Sequence, residues 1–214
     1  MPTEAAATPQ LAHHFPSLEA QEHAARMGMW LFLATEILLF TVLFTAYAVY
    51  RFLFPTGFED ASKFAHVALG ATNTVVLITS SLTVALAIYY ARQGESKKTV
   101  ALLAVTIAFG AAFLVLKGFE YHDHFVEGQL PGRYYHFEGL SGPGVSMYFT
   151  LYFLMTGLHG LHVVVGMGVL TWVAVRAARG DFSRSYSTPV ELGGLYWHLV
   201  DLIWIFLFPL FYLL

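Results

Sequence analysis

One glutamate interrupts a long apolar run, Met29-Trp30-Leu31-Phe32-Leu33-Ala34-Thr35-Glu36, and its helical neighbours Leu33, Phe40 and Leu43 are all apolar. At 1.5 Å per helical residue it stands ~15 Å into a hydrocarbon layer, where a charged carboxylate costs roughly 2.5–3.5 kcal/mol on insertion scales. No acid or base lies one turn away, so Glu36 must keep its proton or find a partner on another helix. It is either a proton-linked or lipid-facing carboxyl, or an acid that hydrogen-bonds a neighbouring helix.

His198 and Asp201 share a helical face and can meet, within the stripe Trp197, Asp201, Trp204 and Phe208. Such a couple can relay protons, orient a metal ligand or lock two helices together. His159 and His162 have the same spacing. A zinc or iron site built on them needs further ligands, and Gly157 and Gly160 beside them favour close helix packing. Glu120, His122, Asp123, His124 and Glu127 cluster just after another apolar run; they could serve a metal or a proton-collecting surface, and the reading preferred for them is a solvated helix end. Asn73, Thr74, Ser80 and Ser81 are uncharged polar groups suited to hydrogen bonds between membrane helices. No catalytic set and no metal site emerges from these spacings.

These groups sit in an unusual background. Of 214 residues, 57% are hydrophobic and 12% charged, with a mean hydropathy of +0.61. Soluble domains carry roughly 25% charged residues, so the main solvent of this chain is lipid. Apolar runs over residues 27–51, 67–91, 99–117, 145–175 and 192–214 are each about long enough to cross a bilayer. Only helices satisfy their backbone there without a closed barrel. The predicted fold is all-α: a polar tail over 1–25, helical from an N-cap at Ser17, then a five-helix transmembrane domain over 26–214. The absence of Cys excludes structural Cys–zinc sites, iron–sulfur clusters, blue copper, disulfides and thiol catalysis. A net charge of -3 offers no basic excess for nucleic acid.

Five spans put Arg26, Arg92, Lys97, Lys98, Arg176, Arg179 and Arg184 on the amino-terminal side, against Arg51, Lys63, Lys117 and Arg133. The bias predicts a cytoplasmic amino terminus and an external carboxyl terminus. Small residues Ala101, Ala104, Ala108, Ala111 and Ala112 form one face of the third span, and Gly160 and Gly168 line the fourth; both are expected to pack helices closely. The connection over 120–144 is long enough to be a partner surface.

Several strings resemble subunit III of the haem–copper respiratory oxidases, in order and over about residues 25 to 214. They are the stretch ending in Glu36, Asn73-Thr74 with Ser80-Ser81, Phe119-Glu120-Tyr121, Thr156-Gly157-Leu158-His159-Gly160-Leu161-His162-Val163, and Tyr196-Trp197-His198-Leu199-Val200-Asp201-Leu202-Ile203-Trp204. The fourth and fifth strings are the specific ones. The resemblance implies an accessory, non-catalytic subunit of a cytochrome c oxidase in a bacterial plasma membrane, supporting oxygen reduction and proton uptake by a partner subunit I. It implies direct contact with subunit I, association with subunit II, haem and copper held by those partners, none in this chain, and room for bound phospholipid. Glu36 would then be the embedded carboxyl, and Asn73, Glu120, His159, His162, Trp197, His198, Asp201 and Trp204 polar helix contacts. The longer family form has seven helices, and this chain lacks the first two. A quinol oxidase or nitric oxide reductase component is the alternative within the resemblance. Outside it stand a b-type cytochrome using His159, His162 and His198, and a small transporter using Glu36 and Asp201.

Overall fold

The computed structural model describes residues 11–131, 135–136, 140, 142–184 and 186–213. Residues 1–10 of the expected tail, Arg133 and Leu214 lie outside them. Helices are α1 (Leu18–Leu53), α2 (Pro55–Ser62), α3 (Val67–Arg92), α4 (Ser96–Val126), α5 (Pro143–Ala178) and α6 (Thr188–Phe208), followed by a π-helical turn, Pro209–Leu213. Five of these are long and apolar enough to cross a membrane, as the sequence predicts, and no strand occurs among the described residues.

The helices overrun the apolar runs. α1 starts inside the polar tail because Ser17 accepts a hydrogen bond from the Ala20 N–H and Glu19 sits in the positive first turn. Its 36 residues span ~54 Å, well beyond a ~30 Å hydrocarbon layer. α4 runs on to Val126, so Glu120–His124 are helical and not part of the loop. At the ends of α3, α4 and α5 the chain turns through Gly94, Gly128 and Gly180 at φ 76, 75 and 79°. At each, the next residue's N–H bonds back to a carbonyl of the last turn: Glu95 to Tyr90, Gln129 to His124, Asp181 to Arg176.

α6 is the centre of the bundle: 56% of its most apolar window is buried, against 11% for α1 at the edge. α3 and α4 form an antiparallel hairpin, α5 and α6 pack on it, and α1 lies across α5 and α6. The inward seam of α4 is Thr99, Leu103, Thr106, Gly110, Phe113, Lys117, Glu120 and His124, a heptad-like series. The alanine face predicted to pack helices instead points outward, with Ala101, Ala104, Ala108 and Ala112 exposed and Gly168 likewise. Close approach falls to other glycines: a Cβ at Gly110 or Gly166 would meet the Trp197 ring at 2.7 and 2.9 Å.

On the side opposite the tail, α2 folds back against the start of α5. Tyr47, Phe58, Tyr148 and Phe211 stack edge-to-face at centroid distances of 5.0–5.7 Å. The Tyr47 and Tyr148 hydroxyls donate to the carbonyls of Leu210 and Phe211 at 2.5 and 2.7 Å, pinning the π turn. On the tail side Glu191 accepts from Arg92 at 2.9 Å and from Arg26 at 3.4 Å, tying α6 to α3 and α1.

Candidate functional site

Glu36 has a partner that its own helix could not disclose. His162, on α5, holds its Nε2 2.8 Å from Glu36 Oε2. The other ring nitrogen, Nδ1, lies 2.8 Å from the Leu158 carbonyl oxygen, an acceptor only, so Nδ1 carries a proton. One further proton then bridges Nε2 and Oε2. It belongs either to a neutral carboxyl donating to imidazole or to an imidazolium donating to carboxylate. The couple is therefore a one-proton site by its geometry. Phe40 covers the ring at 5.2 Å, and the two side chains are 12% and 16% exposed, so the site opens at the α1–α5 edge.

A second couple lies on the far side, in α4. Lys117 Nζ donates to Glu120 Oε2 at 2.9 Å, to the Tyr152 hydroxyl at 2.8 Å and to the Tyr212 hydroxyl at 2.9 Å. Both tyrosines in turn donate to Glu120 Oε1, at 2.8 and 2.6 Å. All three ammonium protons and both carboxylate oxygens are engaged. The solvated end expected for Glu120 and His124 is therefore corrected: both are buried, because α4 continues past them beneath α5 and the π turn. His122 and Asp123, on the opposite face of the same turn, do stay solvated. Lys117, counted above among the charges on the side opposite the tail, is inside the bundle. Tyr148 and Tyr212, at span ends in the sequence, are buried with it.

The third group runs along the α3–α6 seam. Trp197 and Trp204 donate their indole N–H to Ser80 Oγ and Thr74 Oγ1 at 3.0 and 3.1 Å. His198 does not meet Asp201: its Nδ1 lies 2.7 Å from Ser81 Oγ on α3. Ser81 also faces Asp201 without reaching hydrogen-bond geometry, and both Asp201 oxygens are buried and unpartnered. Asn73 is sealed with neither amide atom bonded. His159 lies between the Phe113 and Trp204 rings at 5.4 and 5.3 Å, both its nitrogens unbonded.

These placements bear on the metal and haem readings. Among the described residues no three His, Cys, Asp or Glu converge on one point. His159 and His162 diverge, one into an aromatic box and one toward α1. The box leaves His159 no open face for a macrocycle, so these histidines do not fit a haem.

Two cavities lie along α1, one toward each end, and neither is lined by Glu36 or His162. One of about 330 Å³ lies between α1, α5 and α6 on the tail side, lined by Met29, Trp172, Leu192 and Arg176 among others. The other, about 870 Å³, lies on the far side between Tyr47, Arg51, Phe52 and Phe206.

The sequence passed over Lys117, Tyr152 and Tyr212. Lys117 was detectable, since it precedes Glu120 by one helical turn inside an apolar helix. The tyrosines, and His162 as the partner of Glu36, have no such spacing signal, since 126 residues separate that couple.

The chain as a whole is similar to known proteins. The family described as cytochrome c oxidase subunit III matches residues 8–214. Cytochrome bo(3) ubiquinol oxidase subunit 3 of Pseudomonas putida is 31% identical over 191 residues, covering 88% of this chain and 84% of that protein. Cytochrome c oxidase subunit 3 of Synechocystis is 32% identical over 188 residues, covering 87% and 74%. A fused haem–copper oxidase subunit I+III of Aeropyrum pernix is 30% identical over 194 residues, covering 88% of this chain and 22% of the fusion.

Proposed function

This chain belongs to the cytochrome c oxidase subunit III family, and from that premise we propose how its polar groups serve an oxidase. It is an accessory subunit III of a haem–copper terminal oxidase, an integral membrane component of an oxidoreductase complex. The proposal concerns Glu36 and His162. They hold one exchangeable proton at the α1–α5 edge and support proton uptake by the subunit that carries the redox chemistry. The observation that carries it is the 2.8 Å contact between Nε2 and Oε2 with Nδ1 committed to Leu158.

Subunit I is the direct partner in this reading, with subunit II in the same complex, and haem and copper reside in those partners. The relative in which subunits I and III form one chain supports the direct contact. The tail-side cavity suits the acyl chains of a phospholipid, since its walls are mostly apolar; at its edge Arg176 is held by Asp181 at 2.9 Å, and Glu22 shares the lining. The Lys and Arg asymmetry supports a cytoplasmic tail side in a bacterial plasma membrane. Cytochrome c is the proposed electron donor. A quinol is the second reading, favoured by a ubiquinol oxidase relative at nearly equal identity. Oxidation of reduced cytochrome c against quinol by the purified complex separates the two.

The test of the central proposal is Glu36→Ala in the intact complex. Assembly should be retained, while proton-linked turnover or its persistence over many cycles changes. Turnover and decay both equal to wild type would make Glu36 structural. A stable chain that never co-purifies with haem–copper subunits would overturn the assignment to the complex.

A further inference from the structure

We infer that the membrane-embedded face formed by α3 and α6 around His198 is a docking surface for a transmembrane helix of a partner subunit, one that offers a hydrogen-bonding side chain to His198 Nε2. The inference rests on the oxidase-subunit reading and names a surface that reading leaves open.

Hydroxyls on the outside of the bundle are satisfied by their own helices. On α1, Thr35, Thr41 and Thr45 donate to Phe32, Ile37 and Thr41 carbonyls at 2.6–2.8 Å. On α3, Thr72 and Thr79 donate to Ala68 and Val75, and on α5 Thr171 donates to Met167. Such surfaces can face lipid without an unmet polar group. His198 breaks the pattern. Its Nδ1 is used by Ser81, and Nε2 has no partner among the described residues and is not sealed in. His198 lies six residues into the apolar run that begins at 192, ~9 Å along it and inside a ~30 Å core. An imidazole nitrogen turned into hydrocarbon forfeits its hydrogen bond to water with nothing in return.

The surroundings fit a helix better than an acyl chain alone. Ile78 and Ala85 on α3, and Leu202 and Ile205 on α6, are exposed on either side of the Ser81–His198 contact. They make an apolar strip over two antiparallel helices with one polar atom at its centre. A single hydrogen-bonding side chain on a passing helix completes it, as polar residues do at membrane helix interfaces. A lipid tail covers the strip and leaves Nε2 bare.

The absence of Cys provides a clean background for the test. Leu202→Cys and Ile78→Cys are each labelled with a maleimide–benzophenone and irradiated in native membranes holding the whole complex. Val42→Cys, on the exposed face of α1, is the comparison site. Adducts joining this chain to another oxidase subunit at 78 and 202, weak or absent at 42, are expected. Adducts only with lipid, or only with a second copy of this chain, overturn the inference. In parallel, His198→Phe should leave the complex at about a tenfold higher complex concentration on detergent dilution, the equivalent of one lost hydrogen bond. Equal retention of His198→Phe and wild type overturns it. Because that variant also loses the Ser81 contact, the photoadducts with His198 intact stand as the independent measurement. A wild-type chain that co-purifies with no haem–copper subunit overturns the oxidase reading, and this inference with it.

Discussion

Two acid–base couples cross this bundle, and they are built oppositely. Lys117 and Glu120 lie one turn apart on one helix, are 8% and 0% exposed, and have every polar atom engaged by each other or by Tyr152 and Tyr212. Glu36 and His162 come from different helices, share a single contact, and sit at an open edge. The first couple has no spare valence: each ammonium proton and each carboxylate oxygen already has a partner, although Lys117 lines a cavity of about 210 Å³. The second keeps one carboxylate oxygen free and its proton shared. Ion pairing alone does not mark function in lipid; saturation separates the structural couple from the one available for chemistry.

The largest effect should follow from breaking the saturated couple. Lys117→Met leaves Glu120 buried without a cation and should lower stability by about 3–5 kcal/mol, read as thermal unfolding of the purified complex or loss of this subunit from it. Lys117→Met with Glu120→Leu should recover most of that loss, because buried pairs replaced by apolar groups of similar volume are often neutral. A double variant as damaged as the single would mean the couple acts through its charge.

Tyr212→Phe comes next. It removes a hydroxyl that both donates to Glu120 and accepts from Lys117, and hydrogen bonds to charged groups contribute about 1.5–3 kcal/mol each. The carbonyl contacts from Tyr47 and Tyr148 still hold the π turn, so the subunit should stay assembled with a lowered melting temperature. Loss of assembly would mean that the hydroxyl, and not the turn, fastens the carboxyl terminus.

The contrast between the couples also explains what could be read from the chain. Five helices were legible because an apolar run of about 20 residues has one fate in lipid. The Ser17 cap that starts α1 was legible too, but most other ends were not, because outside the hydrocarbon a helix stops where its caps lie, as at Gly94, Gly128 and Gly180. Glu36 and Asp201 announced themselves as charges in apolar surroundings. The partner of Glu36 did not, because helix packing brings together positions with no sequence relation. The fate of Lys117 and Glu120 was ambiguous for another reason: near the end of a span, a charge bound for water and one bound for tyrosine hydroxyls look alike, and only the resemblance pointed to Glu120 as a polar helix contact. The alanine face of α4 misled, since small residues permit close approach but do not say which helix approaches.

Glu36→Gln should affect stability less than either change above, by no more than about 1 kcal/mol, because the amide can still donate to His162 Nε2. Its effect should appear in turnover, where a group that cannot release its proton replaces one that can. A large stability loss with unchanged turnover would reverse the roles given to the two couples.

Glu191 supplies the weakest and most discriminating case. It is as fully engaged as Glu120, accepting from Arg92, Arg26 and Ser187, but the two arginines are 61% and 51% exposed. If pairing alone set the stability of such networks, Glu191→Gln would rival Lys117→Met. Water screens the arginines and solvates them when the carboxylate is lost, so the expected cost is about 0–1 kcal/mol. At 1 M salt the screening length falls to ~3 Å, and the difference from wild type should vanish, while the Lys117→Met loss should not change. Both variants responding alike to salt would show that the Lys117 cluster reaches solvent, and the distinction between a sealed and an open couple would fail.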